Sequence, residues 1–217
     1  MFLFIILRYI PFGSSSKEDI KMTKNKTTNK LSSTQWIAGV AIFTAIVFVL
    51  QFFGRYIHFG VFSISLVLVP IVTGAILFGA VAGAWLGAAF GIAVLLSGDA
   101  AVFIAVNPIG TILTCVLKGH LAGLTAWGVY SLIKKKNTTI ATFAAAFIAP
   151  IVNTGVFLIG CRLFFMSLLR EWAGGTDVLT YMLTSFVGIN FLIELAVNIV
   201  LSPIIVRLVS IGKKTFK

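Results

Sequence analysis

Acidic residues are scarce in this chain of 217 residues: six Asp and Glu stand against seventeen Lys and Arg. Charged residues of both signs make up only 11% of it, where a soluble domain carries about 25%. So few charges cannot cover a water-facing surface, and the 59% of hydrophobic residues exceeds what a core of this size can hide. That rules out a soluble globule, and disorder with it. The two cysteines, Cys115 and Cys161, lie in apolar runs without metal-ligand spacing, which excludes a disulfide scaffold. No GxxxxGK[ST] phosphate loop is present, and Gly212-Lys213-Lys214-Thr215 lacks the spacing needed to cradle a nucleotide. HExxH, GxSxG and paired catalytic carboxylates are missing from the apolar runs, so no reaction is indicated and no cofactor is expected.

What is present is a series of long apolar stretches. A helix needs about 20 such residues to cross the hydrocarbon layer, because unpaired backbone groups are too costly in lipid. Residues 36–53, 108–133, 139–168 and 180–206 each qualify. The block 63–98 is too long for one crossing and is best divided near 78–81, giving two helices joined by a tight turn. The sequence therefore predicts an all-α polytopic membrane protein, a compact bundle of six transmembrane helices in the cell membrane.

Cytoplasmic loops collect Lys and Arg. With six crossings, one side receives Arg8, Lys17, Lys21, Lys24, Lys26 and Lys30, then Lys134, Lys135 and Lys136, then Arg207, Lys213, Lys214 and Lys217. The other side receives only Arg55 and Arg170, so both termini are expected in the cytoplasm and the +11 charge needs no nucleic acid. Trp172, Tyr56 and Tyr181 then mark the outer boundary and Trp36 the inner one. The expected organisation is a basic N-terminal tail (1–35), a membrane domain (36–206) and a basic C-terminal tail (207–217). The first ten residues are too short to span and do not read as a signal peptide. Met22 begins a more conventional lysine-rich leader, so residues 1–21 are expected to be dispensable or absent from the natural product.

Helices in lipid attract one another by close contact between small residues. Gly79, Gly83, Gly87 and Gly91 recur every fourth residue, as an internal packing groove would require. Ala41 and Ala45 repeat that spacing in the first span. Ionisable groups at membrane depth carry more information, since each costs about 2.5–3.5 kcal/mol unless it finds a partner or water. Lys118 lies about 15 Å below the outer start of its span at 1.5 Å per residue, and Glu194 and Asn153 are expected at similar depth. Asn190, Glu194 and Asn198, spaced by four, share one helix face. Arg162 sits nearer an outer end. Two readings of this set coexist. In one, Lys118 and Glu194 form an internal salt bridge, with Asn153 and Asn190 bonding across helices. In the other, Lys118, Asn153, Arg162, Asn190 and Glu194 surround a hydrated, outward-opening site for a small polar molecule. Asn107-Pro108 reads as an N-cap followed by a first-turn proline, and His120, two residues from Lys118, as a packing histidine.

The chain resembles the substrate-capturing S components of energy-coupling factor vitamin transporters over about 36–206. The resemblance rests on the span pattern, AIFTA at 41–45, VPIVTGAILFGAVAG at 69–83, LKG at 117–119 and NTG at 153–155. It implies capture of a water-soluble vitamin or related micronutrient from outside. It further implies docking through Ala41 and Ala45 onto a membrane T component coupled to two cytoplasmic ATPases, and toppling of the whole subunit to release its ligand inward. Pockets in that family vary with the ligand, so the five polar residues above come from physical reasoning and not from a family motif.

Two other functions compete. A stand-alone proton-coupled secondary transporter could relay protons through Glu194 and Lys118, although no inverted repeat or pair of broken helices is visible. A membrane enzyme could use Arg162, His58 and Asp99 on a lipid headgroup, but nothing in their spacing indicates a reaction. The cations favour an anionic ligand such as pantothenate weakly, while Phe and Trp side chains suit a flavin or pyridine ring equally well.

Overall fold

The computed structural model describes residues 32–54, 58–59, 62–63, 66–186 and 188–215. The expectations for 1–21, for most of the basic N-terminal tail, and for Arg55, Tyr56 and Lys217 fall outside the described residues, as do those for the side chains of His58, Asn190, Lys213 and Lys214.

Helix α1 (Ser33–Gly54) begins three residues earlier than hydropathy predicts. The cause is a capping box: the Gln35 N–H donates to Ser32 Oγ at 3.2 Å, and the Ser32 N–H donates to Gln35 Oε1 at 3.1 Å. A ribbon of β1 (His58–Phe59) and β2 (Phe62–Ser63) follows, antiparallel, with His58 opposite Ser63 and Phe59 opposite Phe62. Among the described residues this is the one departure from the all-α expectation.

The long apolar block does divide, at Gly79, into α2 (Leu68–Phe78) and α3 (Ala80–Ser97). Gly79 has φ +97°, which an L side chain rarely adopts, while nothing lies within 4 Å of where its Cβ would be. Backbone conformation, not space, calls for glycine there. Gly79 is thus a turn residue and not the first member of the glycine groove. At the same turn the Trp36 indole Nε1 donates to the Phe78 carbonyl at 2.8 Å, satisfying an end-of-helix acceptor.

A short α4 (Ala101–Val106) leads into α5 (Pro108–Ile133), whose start was expected: Asn107 Oδ1 accepts from the Gly110 N–H at 2.9 Å, with Pro108 in the first turn. After Lys134, Lys135 and Lys136, Asn137 Oδ1 caps α6 (Thr138–Phe164) by accepting from Thr139 and Ile140. The predicted continuation to residue 168 does not occur. Twenty-seven residues already span about 40 Å, and the helix stops at Phe165. The chain restarts as α7 (Met166–Ala173), which buries Leu168 and Leu169 and exposes Ser167, Arg170 and Glu171. Gly174 and Gly175, both at positive φ, close it.

The last predicted crossing, 180–206, is also not one continuous helix. It is broken into α8 (Val178–Tyr181), a π-helical turn (Met182–Phe186) and α9 (Gly188–Thr215). The stretch of α9 able to cross a membrane is Phe191–Gly212, displaced toward the C-terminus from the prediction. Asp177 caps α8: its Oδ2 accepts from the Thr180 N–H and hydroxyl, and these bonds hold its carboxyl below the usual carboxylate range. Since the folded value lies below the unfolded one, the cap is fully effective above the ordinary Asp value of about 3.9 and is lost as pH falls through the folded value. Amide exchange at Thr180 should therefore stay slow at neutral pH and accelerate only on strong acidification, whereas Asp177→Ala should exchange fast at every pH.

Five helices are long and apolar enough to cross a membrane: α1, α3, α5, α6 and the 191–212 stretch of α9. α2 is not, at 11 residues or about 16 Å. Its shortness is tolerated because it touches α1, α3, α5, α6 and α9 and is buried along nearly its whole length, so protein rather than lipid surrounds it. The large exposed side chains are apolar on every long helix, among them Phe53, Leu96, Ile109, Leu163 and Val200, the surface of a multi-pass membrane protein.

The most extensive contacts join α5 to α3 and to α6. Across the first of these, Gly83, Gly87 and Gly91 face Gly123, Gly119 and Cys115, and a Cβ on Gly87 would fall against the Gly119 carbonyl oxygen and the reverse. The glycine groove is therefore filled by a neighbouring helix.

Candidate functional site

Two ends of the bundle can be told apart. Trp36, Phe78, Tyr130, Val209 and the three consecutive lysines gather at one; Ser97, Asp99 and the aromatic cluster of Phe103, Phe165 and Trp172 gather at the other. The polar groups singled out by the sequence lie between them.

Lys118 projects from α5, half-buried, with its Nζ 5.4 Å from the centre of the Phe90 ring on α3 and 5.1 Å from that of Phe157 on α6. Two ring faces hold the ammonium in a low-dielectric setting. Asn153 lies on α6 one turn before Phe157 and is buried, and Pro150 just upstream has no N–H to donate to the Ala146 carbonyl. Glu194 and Asn198 lie a turn apart on α9, both buried, as their spacing predicted. The Lys118 charge reaches Glu194 electrostatically.

These groups do not saturate one another. Among the described residues no ion pair joins Lys118 to Glu194. Glu194 Oε1, Asn153 Oδ1, Asn198 Oδ1 and Thr114 Oγ1 are all buried without a hydrogen-bond partner. Asn198 uses its Nδ2 locally, donating to the Glu194 carbonyl at 2.9 Å, and its own carbonyl accepts from Ser202 Oγ at 2.7 Å. Four orphaned oxygens from α5, α6 and α9 in one interior region are unusual, since a buried polar atom without a partner costs about 1–3 kcal/mol.

Arg162 stands apart. It is exposed on α6, nine residues after Asn153 and so about half a turn around the helix from it. The Asn190 backbone lies in α9 one turn before Glu194. His120 is half-buried on α5. Ala41 and Ala45 are both exposed on α1, leaving their small-residue face open. Gln51, buried near the end of α1, donates through Nε2 to Asp99 and to Ser97 Oγ at 3.3 Å, which engages the Asp99 carboxylate in tying α1 to the end of α3. No group of three or more His, Cys, Asp or Glu able to hold a metal occurs among the described residues.

Sequence reasoning missed Thr114, although it lies one turn before Lys118 on the same helix face and that spacing could have found it. It also left Asn198 in the polar stripe without a ligand role.

Neither the curated proteins nor the solved structures compared with the chain gave a match. One family does: the description "ECF transporter, substrate-specific component" matches residues 35–206.

Proposed function

The chain belongs to the substrate-specific components of ECF transporters, and from that premise we propose that Lys118, Asn153 and Glu194, with Thr114 and Asn198, hold the substrate it captures. Its work is to capture a water-soluble vitamin or related micronutrient for an ECF-type importer; it is a transport subunit and not an enzyme. The observation that carries the site is the set of partnerless buried oxygens on three helices, beside an ammonium held between two rings. Asn190 would extend the Glu194 face one turn outward. Arg162, exposed on the other side of α6, would act at the rim.

The same reading includes six crossings, with the short α2 as the second, and both termini in the cytoplasm. Support comes from charge: Lys134, Lys135, Lys136 and Arg207 belong to the Trp36 end, whereas Arg170 belongs to the other. Substrate then enters from the Trp172 end. Delivery requires docking on a membrane T component coupled to two cytoplasmic ATPases, and Ala41 and Ala45 offer the open face for it.

Capture and delivery should therefore separate by mutation. Ala41→Trp with Ala45→Trp should leave substrate binding by the purified subunit within about twofold and reduce uptake in cells by about tenfold or more, because two indoles on that face prevent close helix contact. Unchanged uptake would remove the docking assignment. Loss of binding as well would show that α1 shapes the substrate site.

A further inference from the structure

The chemistry of the orphaned atoms says what kind of substrate fits, an inference that rests on the capture reading above. Three of the four are amide or carboxylate oxygens, on Asn153, Glu194 and Asn198, and as ionised carboxylate or amide carbonyl these oxygens only accept. The fourth, Thr114 Oγ1, can donate or accept. A carboxylate or phosphate ligand would add more acceptors to this set and place its charge against Glu194. A cationic ligand meets the opposite obstacle, because the faces of Phe90 and Phe157 that would receive it are already taken by Lys118. What complements the set is a neutral group presenting N–H donors to the acceptors and a carbonyl to the lysine.

We infer that this subunit recognises an uncharged carboxamide or lactam edge, of the kind carried by nitrogen heterocycles, with N–H groups facing Glu194, Asn153 and Asn198 and the carbonyl oxygen facing Lys118. This reverses the lean toward an anionic ligand that Lys118 and Arg162 create in the sequence. Arg162 is remote from the set, and the one cation that remains is outnumbered by acceptors.

Nicotinamide and nicotinate make a matched test, sharing a pyridine ring and differing only in carboxamide against carboxylate. Binding of each to the full-length protein in detergent is read by ligand-observed NMR and by thermal shift. Nicotinamide should bind at least about tenfold better than nicotinate, since a site built for donors rejects an analogue that cannot supply them. Glu194→Gln should weaken nicotinamide and leave nicotinate no better. Equal or stronger binding of nicotinate, or a gain in nicotinate binding on Glu194→Gln, would overturn the inference, as would failure of both probes. The wild-type comparison stands even if the variant does not fold. The capture reading is judged separately, by whether deleting this chain abolishes uptake of any one vitamin in cells. Uptake that depends on the chain, together with preference for the carboxylate probe, would leave capture standing and refute only the recognition chemistry.

Discussion

Gly87→Leu should abolish the folded protein, whereas Gly128→Leu on the partner helix should leave it intact. The two glycines have opposite surroundings. A Cβ at Gly87 collides with the Gly119 carbonyl oxygen, which belongs to backbone and cannot rotate away, while Gly128 has nothing within 4 Å. Gly83 and Gly123 repeat the reciprocal contact one turn on, so a leucine at Gly87 separates α3 and α5 along their whole shared face. In lipid no exclusion of water compensates for lost contact, and the backbone Cα–H···O approaches go with it. Overpacking in a close-packed interior costs about 1–3 kcal/mol. A rigid backbone collision lies beyond that range, a large part of the 5–15 kcal/mol that stabilises a typical protein. Size-exclusion profiles and melting temperatures in detergent test the pair. A monodisperse Gly87→Leu protein would show that α3 and α5 are not held by this seam.

Lys118→Met should weaken substrate capture by about tenfold to a hundredfold, the range expected when a hydrogen bond from a charged group is lost. The interpretation needs a control. Lys118 is the charge that acts on Glu194, so removing it leaves a carboxylate buried without compensation and lowers stability as well. Lys118→Met combined with Glu194→Gln removes both charges. A structural role alone predicts that the double variant recovers both stability and capture. A role in binding predicts recovered stability with capture still impaired, because neither methionine nor glutamine supplies the ammonium donor. The double-variant cycle thus separates the two roles by sign. Affinity equal to wild type in the single variant would take Lys118 out of the site.

Much of the local structure was legible from residues in order. Asn107-Pro108 announced the start of α5, and the division of 63–98 was placed at the residues where Gly79 turns the chain. The four-residue spacing of Glu194 and Asn198 put them on one buried face. Three features were read incorrectly or not at all. The continuation of α6 to 168 overlooked that residues 166–173 form an amphipathic helix with Arg170 and Glu171 on its exposed side. An uninterrupted last helix from 180 overlooked the π-helical turn at Met182–Phe186, which hydropathy does not register. Gly79 was grouped with Gly83, Gly87 and Gly91 by spacing, although its role is a positive-φ turn.

Sequence alone determined that this chain lives in a membrane, roughly where it crosses, and which residues must avoid lipid, because hydropathy and helical period are properties of neighbours along one strand. Tertiary structure decided the rest. Whether an 11-residue helix can sit at membrane depth depends on the five helices around it. Whether Lys118 and Glu194 pair, and whether Arg162 joins them, depends on distances between segments remote in the chain. A polar group is satisfied or left unpaired by partners on other helices, so the orphaned oxygens of Thr114, Asn153, Glu194 and Asn198 come into view only once α5, α6 and α9 are packed.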